Sequence, residues 1–195
     1  MSSKKSQIKP KSDPNDRQSK FYIYGTGLVI LLALVGATAF SIINSNNQER
    51  ALDLAASKPI AGVKSFTGLS RKHITTNLAP TALPPTGGDH AADWTECGIY
   101  DAPVNTSMNV HSLEHGAAWI SYQPSLPKDQ IKTLESFVTS NPYRLIAPYD
   151  NLTSPIVLSA WGKQLSVANA SDSRVEIFLK AFTQGPDTPE PGAPC

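Results

Sequence analysis

The sequence predicts an α+β fold, a two-layer sandwich with a mostly antiparallel sheet and helices on one face, preceded by one transmembrane helix. Three observations lead there. The run from Phe21 to Ile43 holds no charged residue, and as a helix rising about 1.5 Å per residue it would reach ~34 Å, enough to cross a hydrocarbon core of ~30 Å. The chain beyond residue 63 is long enough for one hydrophobic core but not for two. Within that part the periodicities run strand, helix, strand, strand, helix, an order that suits an antiparallel sheet with both helices on one face better than a doubly wound parallel sheet.

Residues 1–20 carry Lys4, Lys5, Lys9, Lys11, Arg17 and Lys20 against Asp13 and Asp16. This composition predicts a disordered tail, and its positive charge predicts that the tail stays cytoplasmic while the C-terminal domain is extracytoplasmic, on a single-pass cell-membrane protein. Tyr22 and Tyr24 suit the interface at the near end of the span, residues 21–43, whereas the far end offers only Phe40. Ala37-Thr38-Ala39 also reads as a signal-peptide cleavage site, so cleavage after Ala39 is the rival to an anchor. The apolar run continues past that site and exceeds the roughly 7 to 15 residues of a signal core, which favours the anchor. With a net charge of +1 and a basic tail explained by topology, nucleic acid is not an expected partner.

Residues 44–63 read as a juxtamembrane stalk in which Gln48 to Ser57 extends the helix until Pro59 stops it. The outer domain occupies residues 64–195. Its first half is irregular: Thr81 to Asp89 is a loop dominated by Pro84-Pro85-Thr86-Gly87-Gly88. Asn109 is the predicted N-cap of a short helix from Val110 to His115, with Gly116 in the left-handed position that ends it. Ala117 to Tyr122 reads as a strand. Lys128 to Ser140 is the clearest helix, burying Ile131, Leu134, Phe137 and Val138 on one stripe. Arg144 to Tyr149 and Ile156 to Trp161 read as strands, and Asp172 to Thr183 as a helix with Val175, Phe178, Leu179 and Phe182 inward. After Gln184 the proline-rich tail should be extended.

The chemistry-bearing residues concentrate in the outer domain. All four histidines, His73, His90, His111 and His115, lie there with both cysteines. In His111-Ser112-Leu113-Glu114-His115-Gly116 the two histidines and the glutamate would share one side of a helical turn. Neutral imidazole is the commonest protein ligand for zinc and also suits copper. The leading expectation is therefore a metal site of at least three ligands drawn from His111, His115, His90 and His73, with Glu114 and Cys97 as further donors and Met108 as a soft one. The bland alternative has His111 and His115 hydrogen-bonding a short helix and His73 and His90 solvated on loops.

The His111-x-x-Glu114-His115 spacing also matches the inverted zinc-protease signature, in which the glutamate is the general base. Enzymes with that motif use a longer helix and larger domains, and Glu176 is only a formal third ligand. Glu114 is thus a weak catalytic candidate. Cys97 and Cys195 are expected to pair on the oxidising side of the membrane, closing a loop that the chain-entropy model values at about 4.7 kcal/mol. Their rival use is as a thiolate ligand. No phosphate-binding glycine loop, nucleophile elbow or Cys-x-x-Cys pair is present.

Several long stretches taken in order, Pro84-Pro85-Thr86-Gly87-Gly88-Asp89-His90, Trp94 with Cys97-Gly98-Ile99-Tyr100, His111-Ser112-Leu113-Glu114-His115-Gly116-Ala117-Ala118-Trp119-Ile120, Ser159-Ala160-Trp161-Gly162 and Gly185-Pro186 to Cys195, resemble the bacterial domain-of-unknown-function family 3105. The resemblance covers about Val63 to Cys195, and His73 falls where that family tends to carry a histidine. Asp89 stands where relatives often have proline. The resemblance implies a single-span protein of the bacterial envelope with no established activity. Joined to the histidines, it gives a membrane-anchored extracytoplasmic protein that binds copper or zinc. The alternatives are a non-catalytic accessory or assembly subunit of an envelope membrane complex, and a small metal-dependent hydrolase.

Overall fold

The computed structural model describes residues 14–78 and 81–195, so most of the basic tail lies outside the described residues. The chain divides into two units, one ending at Glu49 and the other running from Arg50 to Cys195. The described part of the first unit is helix α1 (Pro14–Ala56), which continues into the second. Helix therefore starts ahead of Lys20 and runs through the first part of the stalk, stopping before Pro59. Its segment from Lys20 onward is long and apolar enough to cross a membrane, with a mean hydropathy of 2.3 over its most apolar window. Phe21, Ile30, Leu34 and Ile43 are all exposed, and a helix apolar on every side needs either a protein core or lipid around it. Thr26 and Thr38 turn their hydroxyls back to the carbonyls of Tyr22 (2.8 Å) and Val35 (2.9 Å), which leaves neither donor seeking water.

The second unit carries β1 (Lys64–Ser65), α2 (Thr106–Glu114), β2 (Ala118–Tyr122), α3 (Lys128–Thr139), β3 (Arg144–Pro148), β4 (Ile156–Ala160), β5 (Lys163–Val167) and α4 (Ser173–Phe182). The strands form one sheet in the order β1-β5-β4-β2-β3. Only β2 and β3 run parallel, with Ile120 beside Ile146, because the chain returns through α3 and a parallel pair requires such a crossover. All the other pairings are antiparallel. The α+β class with a mostly antiparallel sheet is thus as the sequence predicts.

Alternation along the strands sends two different sets of side chains to the two faces. Ala118, Ile120, Ile146, Ile156, Leu158, Leu165 and Val167 form one core with Leu134 and Val138 of α3 and Val175, Phe178 and Leu179 of α4. Helices α3 and α4 both lie on that face, as expected. Trp119, Leu145, Ala147 and Val157 point to the other face and meet Leu113 of α2, with Leu83, Tyr100 and Val104 of the irregular first half packed around them. The segment that the sequence left unplaced is therefore the cover of the second face. It brings the histidine-bearing loops and α2 together.

Three local differences have identifiable causes. The sequence reading has no β5, although Leu165 and Val167 alternate with Gln164 and Ser166; the strand expected to reach Trp161 ends at Ala160, and the two-residue turn Trp161-Gly162, whose glycine has φ +67°, leads into β5. Helix α2 starts a turn earlier than predicted, because Asn105 and not Asn109 is the N-cap: its side-chain oxygen accepts from the Met108 amide at 3.1 Å. The tail does not run free. Gln184 N–H donates to Gly116 O (2.8 Å), Gly192 N–H to Gln184 Oε1 (2.8 Å) and Glu190 N–H to Glu114 O (3.1 Å), which folds the tail against the C-terminal end of α2. Gly116 has φ +97°, as its place at the helix end predicts, and an added Cβ would strike the Gln184 amide.

Candidate metal centre

Backbone pairing between two distant loops starts the site. The Ile74 amide donates to His90 O (2.7 Å) and the His90 amide to Lys72 O (3.1 Å), setting His73 beside His90 in an isolated parallel bridge. The loop before His90 is fixed to β5 and the turn that leads into it, since Gly162 N–H donates to Thr86 O (2.8 Å) and Gln164 Nε2 to Pro84 O (2.6 Å). After His90 the chain runs along α2, where the Thr95 amide donates to Ser112 Oγ (3.0 Å) and that hydroxyl donates back to Thr95 O (2.5 Å).

Three imidazoles meet as a result. The rings of His73 and His111 stack with centroids 4.9 Å apart, and His90 stands edge-on to both at 5.1 and 5.0 Å. Ligand atoms of His73, His90, His111 and Glu114 all lie within 4.8 Å of one another, and no other such set of His, Cys, Asp and Glu occurs among the described residues. His90, His111 and Glu114 are buried whereas His73 is exposed, so the cluster opens to solvent on the His73 side.

Carbonyl oxygens fix two of the tautomers. His90 Nδ1–H donates to Gly88 O at 2.7 Å and His111 Nδ1–H to Ala91 O at 2.8 Å. A carbonyl only accepts, so each neutral ring keeps its lone pair on Nε2, the arrangement that holds metal-ligating histidines in place. Burial pushes the His111 imidazolium down from its ordinary pKa, against the Ala91 hydrogen bond and with help from the neighbouring histidines. The ring is then in its neutral, ligating form.

Glu114 lies at the floor of the site. Burial alone would push its carboxyl up, but the hydrogen bond from Arg71, with that guanidinium's charge and any positive charge on His90 and His111, outweighs that and holds it below the usual carboxylate range. Arg71 Nε donates to Oε1, and Oε2 sits 2.9 Å from His90 Nε2. His90 Nε2 is buried yet makes no aligned hydrogen bond. Arg71 reaches a second carboxylate with Nη2, that of Glu190 in the tail.

His115 takes a different course from its helix neighbour. Its ring is 4.4 Å from that of His111 and 5.5 Å from Trp94, but Nδ1–H donates to Pro194 O and Nε2 lies 3.9 Å from Glu190 Oε2. Cys97 and Cys195 form a disulfide with Cα atoms 5.1 Å apart, so Cys97 offers no thiolate. The structure thus gathers His73, His90 and His111 with Glu114, leaves His115 beside the set, and adds Arg71 and Glu190. Nothing in the sequence marks those last two: Arg71 stands two residues before His73, and Glu190 reaches Arg71 from the tail, 119 positions away.

A family model described as a protein of unknown function, DUF3105, matches residues 73–195. No curated protein and no solved structure matches the chain. The matched stretch begins at His73 and ends at Cys195, and so contains the four clustered residues and both cysteines.

Proposed function

For a chain that belongs to the DUF3105 family, we propose the role of a membrane-anchored extracytoplasmic protein that holds one divalent transition-metal ion, zinc or copper, through His73, His90, His111 and Glu114. One observation carries this reading. With Nδ1 committed to Gly88 O, the buried His90 Nε2 keeps its lone pair free of any aligned hydrogen bond, 2.9 Å from the Glu114 carboxylate. Two electron-rich atoms that close require a cation between or beside them, either a proton or a metal. Two more imidazoles at the same point favour the metal.

The donor set suits that choice. Imidazole nitrogen and carboxylate oxygen are ligands of zinc and of oxidised copper, and with both cysteines in the disulfide no thiolate is offered that would select reduced copper. Donors of a tetrahedral ion at ~2.0–2.1 Å are ~3.4 Å apart, so closing from separations of up to 4.8 Å asks for side-chain rotation, chiefly of the exposed His73. The apolar segment of α1 serves as the anchor, with the basic N-terminus on the cytoplasmic side.

Hydrolysis is a weaker reading. Both Glu114 oxygens are engaged, one by Arg71 and one against His90, so the carboxylate is placed as a ligand and not as a free base. Metal handling, or a metal that stiffens an accessory subunit of an envelope complex, uses the site as it stands. The test is elemental analysis of the full chain in detergent after dialysis against zinc and, separately, copper. About one ion per chain is expected from at least one of them; a chain that retains neither would end the proposal.

A further inference from the structure

We propose that the C-terminal tail is a redox-controlled clamp on this metal centre: the Cys97–Cys195 disulfide holds the tail on the site, and its reduction by a dithiol releases both tail and metal. The inference rests on the metal-binding reading and adds its regulation. Four contacts join the last residues to the centre. The Glu190 amide donates to Glu114 O at 3.1 Å. The Glu190 side chain accepts from Arg71, the same guanidinium that holds the Glu114 ligand. Pro194 O accepts from His115 Nδ1, and Gln184 Nε2 donates to His115 O at 2.6 Å.

A segment this rich in proline and glycine buries little apolar surface of its own, so its docking depends on the tether. Pro191, Gly192 and Pro194 are exposed and no helix or strand lies beyond α4. The bridge joins residues 98 apart in sequence, and without it the last residues become a flexible end whose ordering entropy opposes every one of these contacts. Glu190 then leaves Arg71, and a negative charge is lost from the rim of a cation site. Arg71 loses one of its two fixed partners, which loosens the orientation of Glu114. Supporting groups of this kind change metal affinity about 10- to 100-fold.

Chemistry and access allow the switch. Cys97 and Cys195 are each half-buried, within reach of a small dithiol or the exposed thiolate of a dithiol protein. One thiolate of the reductant attacks the bridge, forming a mixed disulfide and expelling one cysteine as thiolate. The second reductant thiolate then closes its own disulfide and expels the other cysteine. Two electrons pass to the chain, the reductant becomes a disulfide, and both cysteines take up protons. Linkage makes the effect reciprocal: for each tenfold loss of affinity on reduction, bound metal should lower the midpoint of the bridge by about 30 mV.

The test uses the full chain in detergent and zinc competed against a chromophoric chelator. The oxidised protein is compared with Cys97→Ser combined with Cys195→Ser, which opens the clamp without creating thiolate ligands. An affinity lower by at least ~tenfold in the double variant supports the clamp; equal affinity in the two overturns it while leaving the metal site intact. An oxidised chain that binds no zinc or copper removes the site and the clamp together. Should the double variant lose its native circular dichroism, Glu190→Gln with the bridge intact decides: weaker zinc binding supports the clamp, and unchanged binding overturns it.

Discussion

Replacing His90 by alanine should cost at least ~100-fold in metal affinity, beyond the 10- to 100-fold attached to groups that only support a ligand. His90 is fully buried, its Nδ1 is locked by Gly88 and its Nε2 lies 2.9 Å from Glu114, so the change removes a donor that is already fixed in place. His111→Ala should behave alike, because that ring contacts both of the other clustered imidazoles. His115→Ala is the informative contrast. Its ring belongs to the contact with Pro194 and Glu190, and its loss should weaken binding by no more than about tenfold, as for a supporting group. Competition titrations on the three variants check this. An effect of His115→Ala as large as that of His90→Ala would instead favour a chelate made by His111 and His115 on one helix.

The largest expected loss of stability follows from Phe178→Ala. Phe178 is wholly buried between α4 and the sheet and meets the Phe182 ring edge-on at 4.8 Å. Deleting a buried phenylalanine costs about 3–5 kcal/mol through lost burial and the cavity left behind. Against a typical domain stability of about 5–15 kcal/mol, that is roughly a fifth or more, and should lower the melting temperature by about 10–20 °C. Lys132→Ala, on the exposed side of α3, should move stability by no more than ~0.5 kcal/mol. Thermal unfolding followed by tryptophan fluorescence reads both; equal shifts in the two would mean that α4 does not complete this core.

Much of the first core was legible because its periodicities are strong. Leu134 and Val138 on α3, and Val175, Phe178 and Leu179 on α4, recur at helical spacing and are buried as that spacing demands. Strand partners were less legible, since an apolar run says which residues are covered but not what lies beside them. The parallel pairing of β2 with β3 is decided by the α3 crossover and the shared core, not by either strand alone. Strand β1 has two residues and leaves no periodic signal at all.

In the site, residue types were legible and their assembly was not. His73 and His90 meet through a backbone bridge between irregular segments, and no spacing rule announces such a pairing. On α2, positions i+3 and i+4 from His111 look equivalent in a sequence. Burial of Leu113 against Trp119, Leu145 and Val157 sets the rotation of the helix, and Glu114 rather than His115 joins the cluster. Arg71 and Glu190 are charged residues in loops, and their pairing across 119 positions is a product of the tertiary fold. The resemblance located the right stretches of chain, including both cysteines, without saying which side chains would touch.

The ligand set itself is most directly tested by X-ray absorption spectroscopy on the full chain loaded with about one zinc ion. A nitrogen and oxygen shell at ~2.0–2.2 Å is expected, with outer-ring scattering from three imidazoles and no sulfur. A sulfur shell at ~2.3 Å, or scattering from fewer than two imidazoles, would contradict it.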